Sequence, residues 1–187
     1  PSGQMLSFPF NSSTPVFYIN KDAFKKAGLD PNKPPRTWKE VLAASEKLKA
    51  SGQECVYTTS WPSWMHIENF SAWHNVPIGT KQNGMGGLDA QFTINSPLHV
   101  RHIENLANMS KQGLFVYKGR GNAADATFVS GECAMTTGSS VITVRPISAT
   151  TKGTVGLPGA SSAATTVNTP TVATFHQRTS NHSVRMT

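Results

Sequence analysis

The sequence predicts an α/β fold, in which strands and helices pack in layers, rather than a helical bundle or a β-sandwich. Segments rich in β-branched and aromatic residues alternate along the chain with segments that have the apolar spacing of amphipathic helices. Capping residues and glycines mark the ends of most of these helices. The 187 residues are 37% hydrophobic, which suits one domain or a large piece of a two-lobed protein. The longest apolar runs are only a few residues, too short to cross a bilayer.

The first two predicted elements are a strand and a short helix. Residues 6–19 are extended, and the β-prone run 16–19 forms the strand. The side chain of Asn20 can then cap a helix over residues 21–27, which Gly28 ends.

A capping box begins the second predicted helix. The hydroxyl of Thr37 can accept a hydrogen bond from an N–H group of the first turn, while the Glu40 side chain reaches back. Gly52 lies past the end of this helix, and residues 55–59 form the next strand. One face of the helix comprises Trp38, Val41, Leu42, Ser45 and Leu48.

The middle of the chain is less regular. Residues 61–75 carry aromatic and amide side chains without a clean period, and we expect a loop there followed by a helix. Residues 83–87 form a glycine-rich turn. Ser96 and Pro97 begin a helix that continues to Gly113, since a proline at the first helical position lacks only an N–H that would be unpaired anyway.

The last predicted elements are short. A helix over residues 123–129 is followed by a strand over residues 133–137, and residues 138–140 are expected to begin another helix. Residues 153–157 form one more strand. From about residue 159 the chain is rich in Ser, Thr and Ala and has no periodicity, which is typical of a disordered extension.

The net charge of +7 is unevenly distributed along the chain. Thirteen of the 17 Lys and Arg residues and all ten Asp and Glu residues lie at or before Glu132, so the body of the chain is close to neutral. No run of five or six like charges occurs. A nucleic-acid-binding domain would concentrate positive charge on one face, and this distribution therefore argues against that class of protein.

Sequence motifs for catalysis or for metal binding are absent. The chain has no GxxxxGK[ST] phosphate loop and no GxGxxG, HExxH or Gly-x-Ser-x-Gly motif. His99 and His102 form an HxxH pair on a predicted helix, but a zinc site needs three or four ligands. We therefore interpret these histidines as solvated or capping residues, and we predict no catalytic residue, no metal and no cofactor.

The two cysteines allow two interpretations. Cys55 and Cys133 both fall at or near predicted strands, although they are far apart in the sequence. They are either two buried thiols or a disulfide formed in an oxidising compartment, and the geometry of the fold decides between these alternatives.

Three segments bring neutral polar and aromatic side chains to predicted loops and element ends: residues 11–14, 61–64 and 136–140. Hydroxyl groups and the free N–H groups of a helix start suit a phosphate or a polyol. A tryptophan face can stack on C–H groups or attract a quaternary ammonium ion. The same residues also fit ordinary turns and a tryptophan-containing core, so both interpretations stay open.

Six runs of sequence in and around these segments match the pattern of a known family. They are Phe-Pro-Phe-Asn-Ser-Ser-Thr-Pro-Val (8–16), Tyr-Ile-Asn-Lys-Asp-Ala-Phe-Lys-Lys-Ala-Gly-Leu-Asp-Pro (18–31), Pro-Pro-Arg-Thr-Trp (34–38), Leu-Lys-Ala-Ser-Gly (48–52), Glu-Asn-Phe-Ser-Ala-Trp (68–73) and Gly-Glu-Cys-Ala-Met-Thr-Thr (131–137). Over about residues 5–145 the chain resembles family 1 extracellular solute-binding proteins, in particular the members that bind sn-glycerol-3-phosphate.

The resemblance implies a fold and a function. The fold is a periplasmic-binding-protein type II fold, in which two α/β lobes hold a ligand in the cleft between them, and this chain is an incomplete version of one lobe. The function is that of the substrate-binding component of an ABC importer. Such a protein is a periplasmic monomer that delivers its ligand to the membrane subunits of the transporter and performs no chemistry on it. The expected ligands are glycerol-3-phosphate and glycerophosphodiesters such as glycerophosphocholine.

The resemblance also carries ligand contacts onto this sequence. Ser13 and Ser139 match two hydroxyl contacts, and the predicted helix start at Ser139 agrees with an anionic ligand. Trp61 matches a tryptophan that packs against the glycerol part of the ligand, and Trp64 is a further candidate.

Four segments follow from the resemblance. Residues 1–15 match an inter-lobe crossover strand, residues 16–145 the main block of the C-terminal α/β lobe, and residues 146–158 a return segment. The tail over residues 159–187 matches nothing in the family, and we expect it to be disordered or outside the native reading frame. Because the chain starts at Pro1 without a charged and then apolar leader, we expect an internal fragment that lacks its signal peptide.

Two alternative functions remain. A sugar-binding protein of the same family would use the tryptophans and the hydroxyl groups equally well. A basic nucleic-acid-binding domain would need a charged face with interleaved aromatic residues, which the nearly neutral body of the chain does not favour.

Overall fold

The computed structural model describes residues 13–140 and 171–173, and it confirms the α/β fold. The described strands are β1 (Pro15–Ile19), β2 (Cys55–Thr59), β3 (Cys133–Ser139) and β4 (Thr171–Ala173). They form one sheet in the order β2-β3-β1-β4. Strand β1 is antiparallel to β3 and β4, whereas β2 and β3 are parallel. A parallel pair needs a long crossover connection, and the helices between β2 and β3 form it.

The helices between and after the first strands are α1 (Lys21–Lys26), α2 (Trp38–Ala50), a π-helix (Trp64–Glu68), α3 (Asn69–Trp73), α4 (Thr80–Asn83), α5 (Pro97–Lys111) and α6 (Asp125–Val129). Within the described part of the chain, no helix has the length and apolar character needed to cross a membrane.

The predicted caps are confirmed at three helix starts. The Asn20 side chain accepts hydrogen bonds from two N–H groups of α1, at 3.0 and 3.1 Å. The Thr37 hydroxyl accepts from the Glu40 N–H at 3.2 Å, and the Glu40 carboxylate reaches back to the N–H of Arg36 at 2.6 Å. The Ser96 hydroxyl caps α5, with proline at the first position. The bonds to the side chains of Asn20, Thr37 and Ser96 pair N–H groups that a helix start leaves without partners.

Helices cover both faces of the sheet. On one face, α2 and α5 pack against the strands, and the buried cluster comprises Phe17, Ile19, Val41, Ala44, Leu48, Tyr57, Leu106, Met109 and Met135. On the opposite face, Val16 and Tyr18 of β1 pack against Phe128 of α6. The predicted apolar face of α2 is buried at Val41, Ser45 and Leu48 and only partly buried at Trp38 and Leu42.

A disulfide joins Cys55 to Cys133, which decides between the two alternatives for the cysteines. These residues are direct register partners in the parallel β2–β3 pair, and their Cα atoms are 4.5 Å apart. Both side chains are buried. The disulfide therefore links the two strands at their amino ends, far from the edge where the candidate site residues lie.

Residues 61–75 are more helical than the sequence predicts. The N–H of Met65 donates to the carbonyl of Trp61 at 3.0 Å, and the π-helix and α3 follow without a break. A π-helical turn has a wider spacing than an α-helix, which explains the missing 3.6-residue period in this segment. The following turn also starts earlier than predicted, since Lys81 and Gln82 in α4 already have left-handed backbone angles.

The prediction of a helix start at residues 138–140 is wrong for its first two residues. Gly138 pairs with Val16 and Ser139 pairs with Pro15, so both residues continue β3. Glycine is disfavoured in strands, but the antiparallel ladder with β1 outweighs this local preference. The predicted strand over residues 153–157 lies outside the described residues.

Strand β4 corrects the expectation of a fully disordered tail. Residues Thr171–Ala173 pair antiparallel with Phe17–Ile19 on the outer side of β1. Composition could not show this, because the hydrogen bonds come from the open edge of a sheet formed elsewhere in the chain. The rest of the tail, the return segment 146–158 and residues 1–12 of the crossover segment lie outside the described residues.

Candidate functional site

Three strand ends meet at one edge of the sheet. Because β2 and β3 are parallel, with Thr59 opposite Thr137, their carboxyl ends lie at the same edge. Strand β1 runs the other way and pairs Pro15 with Ser139, so its amino end lies there too. We call this the hydroxyl edge; it comprises Ser13, Thr14, Ser60, Trp61, Thr137, Ser139 and Ser140.

Ser13 and Ser139 are in direct contact at the hydroxyl edge. Their Oγ atoms are 2.5 Å apart, although 126 residues separate them in the sequence. The Oγ of Ser140 lies 3.4 Å from that of Ser13, and the Ser140 N–H donates to the carbonyl of Thr14 at 2.9 Å. The pairing of β1 with β3 therefore brings together three hydroxyl groups, each of which can donate a hydrogen bond to an anionic or polyol ligand.

Trp61 joins the same edge through its neighbour Ser60. The N–H of Ser60 donates to the carbonyl of Thr137 at 2.9 Å, which extends the β2–β3 pairing to the residue before Trp61. The Trp61 side chain is 50% exposed. Its indole thus stands at the hydroxyl edge with a large apolar surface open to solvent, as a stacking residue requires.

Trp64 lies on the first turn of the π-helix and is partly buried. Its carbonyl accepts a hydrogen bond from the Asn69 side chain at 2.9 Å. The π-helix, rather than a strand end, therefore sets the position of Trp64. Of the four predicted ligand contacts, the structure brings Ser13, Ser139 and Trp61 to one edge and places Trp64 on the adjoining helix.

The backbone of Trp61 is strained. Its φ angle is +46°, a left-handed value that a residue with a bulky side chain rarely adopts. Glycine adopts such angles without cost, so we expect Trp61→Gly to be more stable than Trp61→Ala by about 1 kcal/mol, the reverse of the usual order. Chemical denaturation of the two variants measures this difference. Equal stabilities, or a more stable alanine variant, would contradict the left-handed backbone at this position.

Sequence reasoning missed an acidic residue beside the hydroxyl edge. Asp125, in the first turn of α6, accepts a very short hydrogen bond from the Ser60 hydroxyl. Burial raises the pKa of the Asp125 carboxyl, and the hydrogen bond from Ser60 partly opposes this shift. The Tyr18 hydroxyl donates to the carbonyl of Ser139 at 2.8 Å, and burial followed by the negative charge of Asp125 raises its pKa. The only signal in the sequence was the position of Asp125 at a predicted helix start.

A buried chain of hydroxyl groups supports the edge from beneath. The Thr137 Oγ1 lies 2.7 Å from the Oγ1 of Thr59 and 2.9 Å from the hydroxyl of Tyr57. Burial raises the pKa of Tyr57, so this phenol stays neutral. These groups lie side by side because Thr59 and Thr137 are register partners. No local sequence motif predicts this pairing.

The interpretation of His99 and His102 as solvated residues is wrong, because both side chains are buried. The capping role holds for His99, whose N–H donates to the hydroxyl of Ser96, the N-cap of α5. The two ring nitrogens of His99 lie 2.6 Å from the Ser71 hydroxyl and 2.7 Å from the Ser96 hydroxyl. The ring of His102 stacks on Phe70 with a centroid distance of 3.9 Å. Helix α5 therefore turns its HxxH pair towards α3 and the π-helix rather than towards solvent.

His66 and His102 form a buried pair between the π-helix and α5. The His66 Nδ1 lies 3.1 Å from the His102 Nε2. Burial, and to a lesser degree the neighbouring His102, lowers the pKa of His66 to about 3. Burial, followed by His74 and His99, lowers the pKa of His102 to about 4. Over the described ranges, no group of three or more His, Cys, Asp or Glu residues is arranged to hold a metal ion.

The described residues also form an open groove of about 720 Å³ away from the hydroxyl edge, lined by residues such as Phe24, Pro34, Arg36 and Lys47. It lies between α1 and the start of α2. A smaller apolar pocket, lined by Trp38, Phe70, Trp73 and Thr137 among others, adjoins the edge on the face that α2 covers.

The chain is similar to bacterial solute-binding proteins. Residues 2–173 match the bacterial extracellular solute-binding protein family, a match that extends into the tail. The chain is 57% identical over 141 residues to the sn-glycerol-3-phosphate-binding periplasmic protein of Brucella abortus, covering 75% of this chain and 33% of that protein. It is 53% identical over 139 residues to the protein of the same name from Yersinia pestis, covering 74% and 32%.

Solved structures show the same fold. The structure of UgpB from Mycobacterium tuberculosis in complex with glycerophosphocholine is 21% identical, with a TM-score of 0.51 over 68% of this chain and 31% of that chain. The chain spans about a third of the length of the curated relatives that it matches.

Proposed function

The chain belongs to the bacterial extracellular solute-binding protein family, and from this premise we propose that it forms part of the ligand-binding cleft of an ABC importer. The ligand that the residues favour is glycerol-3-phosphate or a glycerophosphodiester such as glycerophosphocholine. We infer further that the protein acts as a periplasmic monomer, delivers its ligand to the membrane subunits of the importer and leaves the ligand chemically unchanged.

The observation that carries this proposal is the contact between Ser13 and Ser139 at the hydroxyl edge, with their Oγ atoms 2.5 Å apart. One of the two hydroxyl protons lies in the bond between the serines, and the other can turn towards a phosphate oxygen. A hydrogen bond to a charged acceptor is stronger than one between neutral groups. The exposed Trp61 indole at the same edge offers an apolar face to the C–H groups of glycerol. Such a site combines a few directed polar groups with an aromatic surface.

The similarity to named relatives supports the same ligand class. More than half of 141 aligned residues are identical to a sn-glycerol-3-phosphate-binding periplasmic protein. The disulfide between Cys55 and Cys133 supports a periplasmic location, because disulfides persist in oxidising compartments.

Ligand-observed NMR on the 187-residue chain tests the proposal. Saturation transfer is measured for glycerol-3-phosphate, glycerophosphocholine and maltose in separate samples. We expect saturable transfer to at least one of the two phosphate compounds and none to maltose. Because the chain spans a third of its relatives' length, the ligand is only partly enclosed, and a dissociation constant in the range of about 1 mM is expected.

Variants of the edge residues test which side chains contact the ligand. Trp61→Ala is expected to weaken binding about three- to tenfold, which corresponds to the loss of about 1 kcal/mol of stacking. Ser139→Ala should weaken it by a similar factor through the loss of one hydrogen bond. Phe92→Ala is the matched control, since Phe92 is also an exposed aromatic residue but lies in the loop between α4 and α5. Binding of maltose alone, or wild-type affinity in Trp61→Ala, would overturn the assignment.

A further inference from the structure

The strained backbone of Trp61 needs a structural cause. Besides its left-handed φ of +46°, Trp61 precedes Pro62, and a residue before proline prefers extended backbone angles. Such a conformation is unfavourable and persists only where surrounding contacts hold it. The contacts around Trp61 therefore indicate which part of the molecule holds the indole at the hydroxyl edge.

One contact comes from the backbone of the loop before α6. The N–H of Trp61 donates to the carbonyl of Gly121 at 2.7 Å. This bond fixes the backbone at the point where the chain leaves β2 and enters the helical segment. Because Gly121 has a φ of +59°, its carbonyl is directed by a loop conformation that favours glycine.

A second contact comes from the side chain at the end of the same loop. The carboxylate of Asp125 accepts a very short hydrogen bond from the hydroxyl of Ser60, the residue before Trp61. Hydrogen bonds to an ionised acceptor are among the strong ones in proteins. The N–H of Ser60 is in turn held by the carbonyl of Thr137 at 2.9 Å. The residue before Trp61 is thus fixed from both its backbone and its side chain.

The loop also touches the indole itself. A Cβ atom placed on Gly121 would lie 3.8 Å from Cζ2 and 3.9 Å from Cη2 of Trp61, so the six-membered part of the ring faces the Gly121 backbone. Half of the Trp61 side chain remains exposed. The loop therefore supports one part of the ring and leaves the rest open at the hydroxyl edge.

We propose that residues 119–125 form a clamp that sets the position of Trp61, with Asp125 as a positioning residue that acts through Ser60. The clamp holds the strained backbone through the Gly121 carbonyl and the Asp125 carboxylate, and it presents a pre-oriented indole face. Because the indole is already oriented, less side-chain conformational entropy is lost when a ligand binds. The structural part of this proposal stands alone, whereas its effect on ligand affinity rests on the proposed function.

Fluorine NMR of the 187-residue chain labelled with 5-fluorotryptophan tests the clamp. The four tryptophans give four resonances, and Trp61→Phe identifies the one from Trp61. We expect Asp125→Ala and Ser60→Ala each to shift or broaden the Trp61 resonance by more than its linewidth while the resonances of Trp38 and Trp73 stay in place. The double variant should resemble either single variant, because both remove the same hydrogen bond.

Two further variants separate positioning from general stability. Asp125→Asn keeps an oxygen that can accept from Ser60, so it should restore the Trp61 resonance towards its wild-type position. Asp22→Ala is the control, because Asp22 lies in the first turn of α1 as Asp125 lies in the first turn of α6. This variant should leave all four resonances unchanged. An unmoved Trp61 resonance in both Asp125→Ala and Ser60→Ala, or equal movement of all four resonances, would overturn the clamp.

A ligand titration of the same samples distinguishes failure of the clamp from failure of the proposed function. If glycerophosphocholine binds, Asp125→Ala should weaken it by a factor similar to that for Trp61→Ala. Wild-type affinity in Asp125→Ala together with a displaced Trp61 resonance would overturn the link between the clamp and the ligand. Absence of binding to the wild-type chain would contradict the proposed function, while the resonance of Trp61 still decides on the clamp.

Discussion

Replacement of Cys55 and Cys133 together by alanine is expected to lower the free energy of unfolding by about 4 kcal/mol. The disulfide closes a loop with a sequence separation of 78 residues. In the chain-entropy model, a cross-link removes more conformations from the unfolded state when the loop that it closes is longer. A domain is stable by only about 5–15 kcal/mol, so this loss is a large part of the total. Urea denaturation of the oxidised wild-type chain and the double variant measures the difference.

Reduction of the wild-type chain is the matched control for this prediction. Treatment with a reductant should lower the stability of the wild-type chain to near that of the double variant and leave the variant unchanged. The variant also removes the contact between the Cys133 sulfur and the Thr127 hydroxyl oxygen, which are 3.3 Å apart, and this is a minor loss. A difference below about 1 kcal/mol, outside the usual range for native disulfides, would show that the link between β2 and β3 is not a major source of stability.

Acidification is expected to destabilise the chain below pH 6.5 through the buried histidine pair. The pKa values of His66 and His102 are lowered from 6.5 to about 3 and about 4 in the folded state. Between pH 6.5 and the lowered pKa values, these histidines take up protons in the unfolded chain but stay neutral in the folded chain. Their contribution to the free energy of unfolding is therefore fully present above pH 6.5 and is lost as the pH decreases. One pH unit is worth up to about 1.4 kcal/mol per histidine, and the pair therefore costs about 3–5 kcal/mol by pH 4.5.

Denaturation curves between pH 7.5 and 4.5 test this dependence, and the double variant His66→Gln/His102→Gln provides the comparison. Glutamine keeps hydrogen-bonding capacity but does not titrate, so the variant should have a flatter profile over this range, whatever its stability at pH 7.5. Asp125 acts in the opposite sense: because its pKa is raised in the folded state, its protonation slightly stabilises the folded state as the pH falls. A wild-type profile that is flat, or as steep as that of the variant, would contradict the neutral buried pair.

Local signals predicted the elements of the fold well. Asn20, Thr37 and Ser96 each cap the helix that follows them, because capping depends only on the side chain and the first turn. Two local predictions fail where tertiary pairing competes with them. Ser139 stays in β3 because Pro15 pairs with it, and Thr171–Ala173 form a strand because β1 has an open edge.

The candidate site was predicted only in part. Ser13, Trp61 and Ser139 came from resemblance to a family, and the strand register explains why they meet at one edge. The role of Asp125 could not be predicted, since it depends on a contact with Ser60 across 65 residues of sequence. The burial of His102 was missed for the same reason: its partners Phe70 and His66 lie on other helices.

The most direct test of the ligand-binding account is a titration of the ¹⁵N-labelled chain with glycerophosphocholine, followed by amide NMR. Because the hydroxyl edge is formed by the ends of β1, β2 and β3, we expect saturable shifts at Thr14, Trp61 and Ser139, with small changes along α2. Maltose at the same concentrations should leave these amides in place. Shifts confined to the groove beside Arg36 and Lys47, or an equal response to maltose, would contradict a glycerophosphate site at this edge.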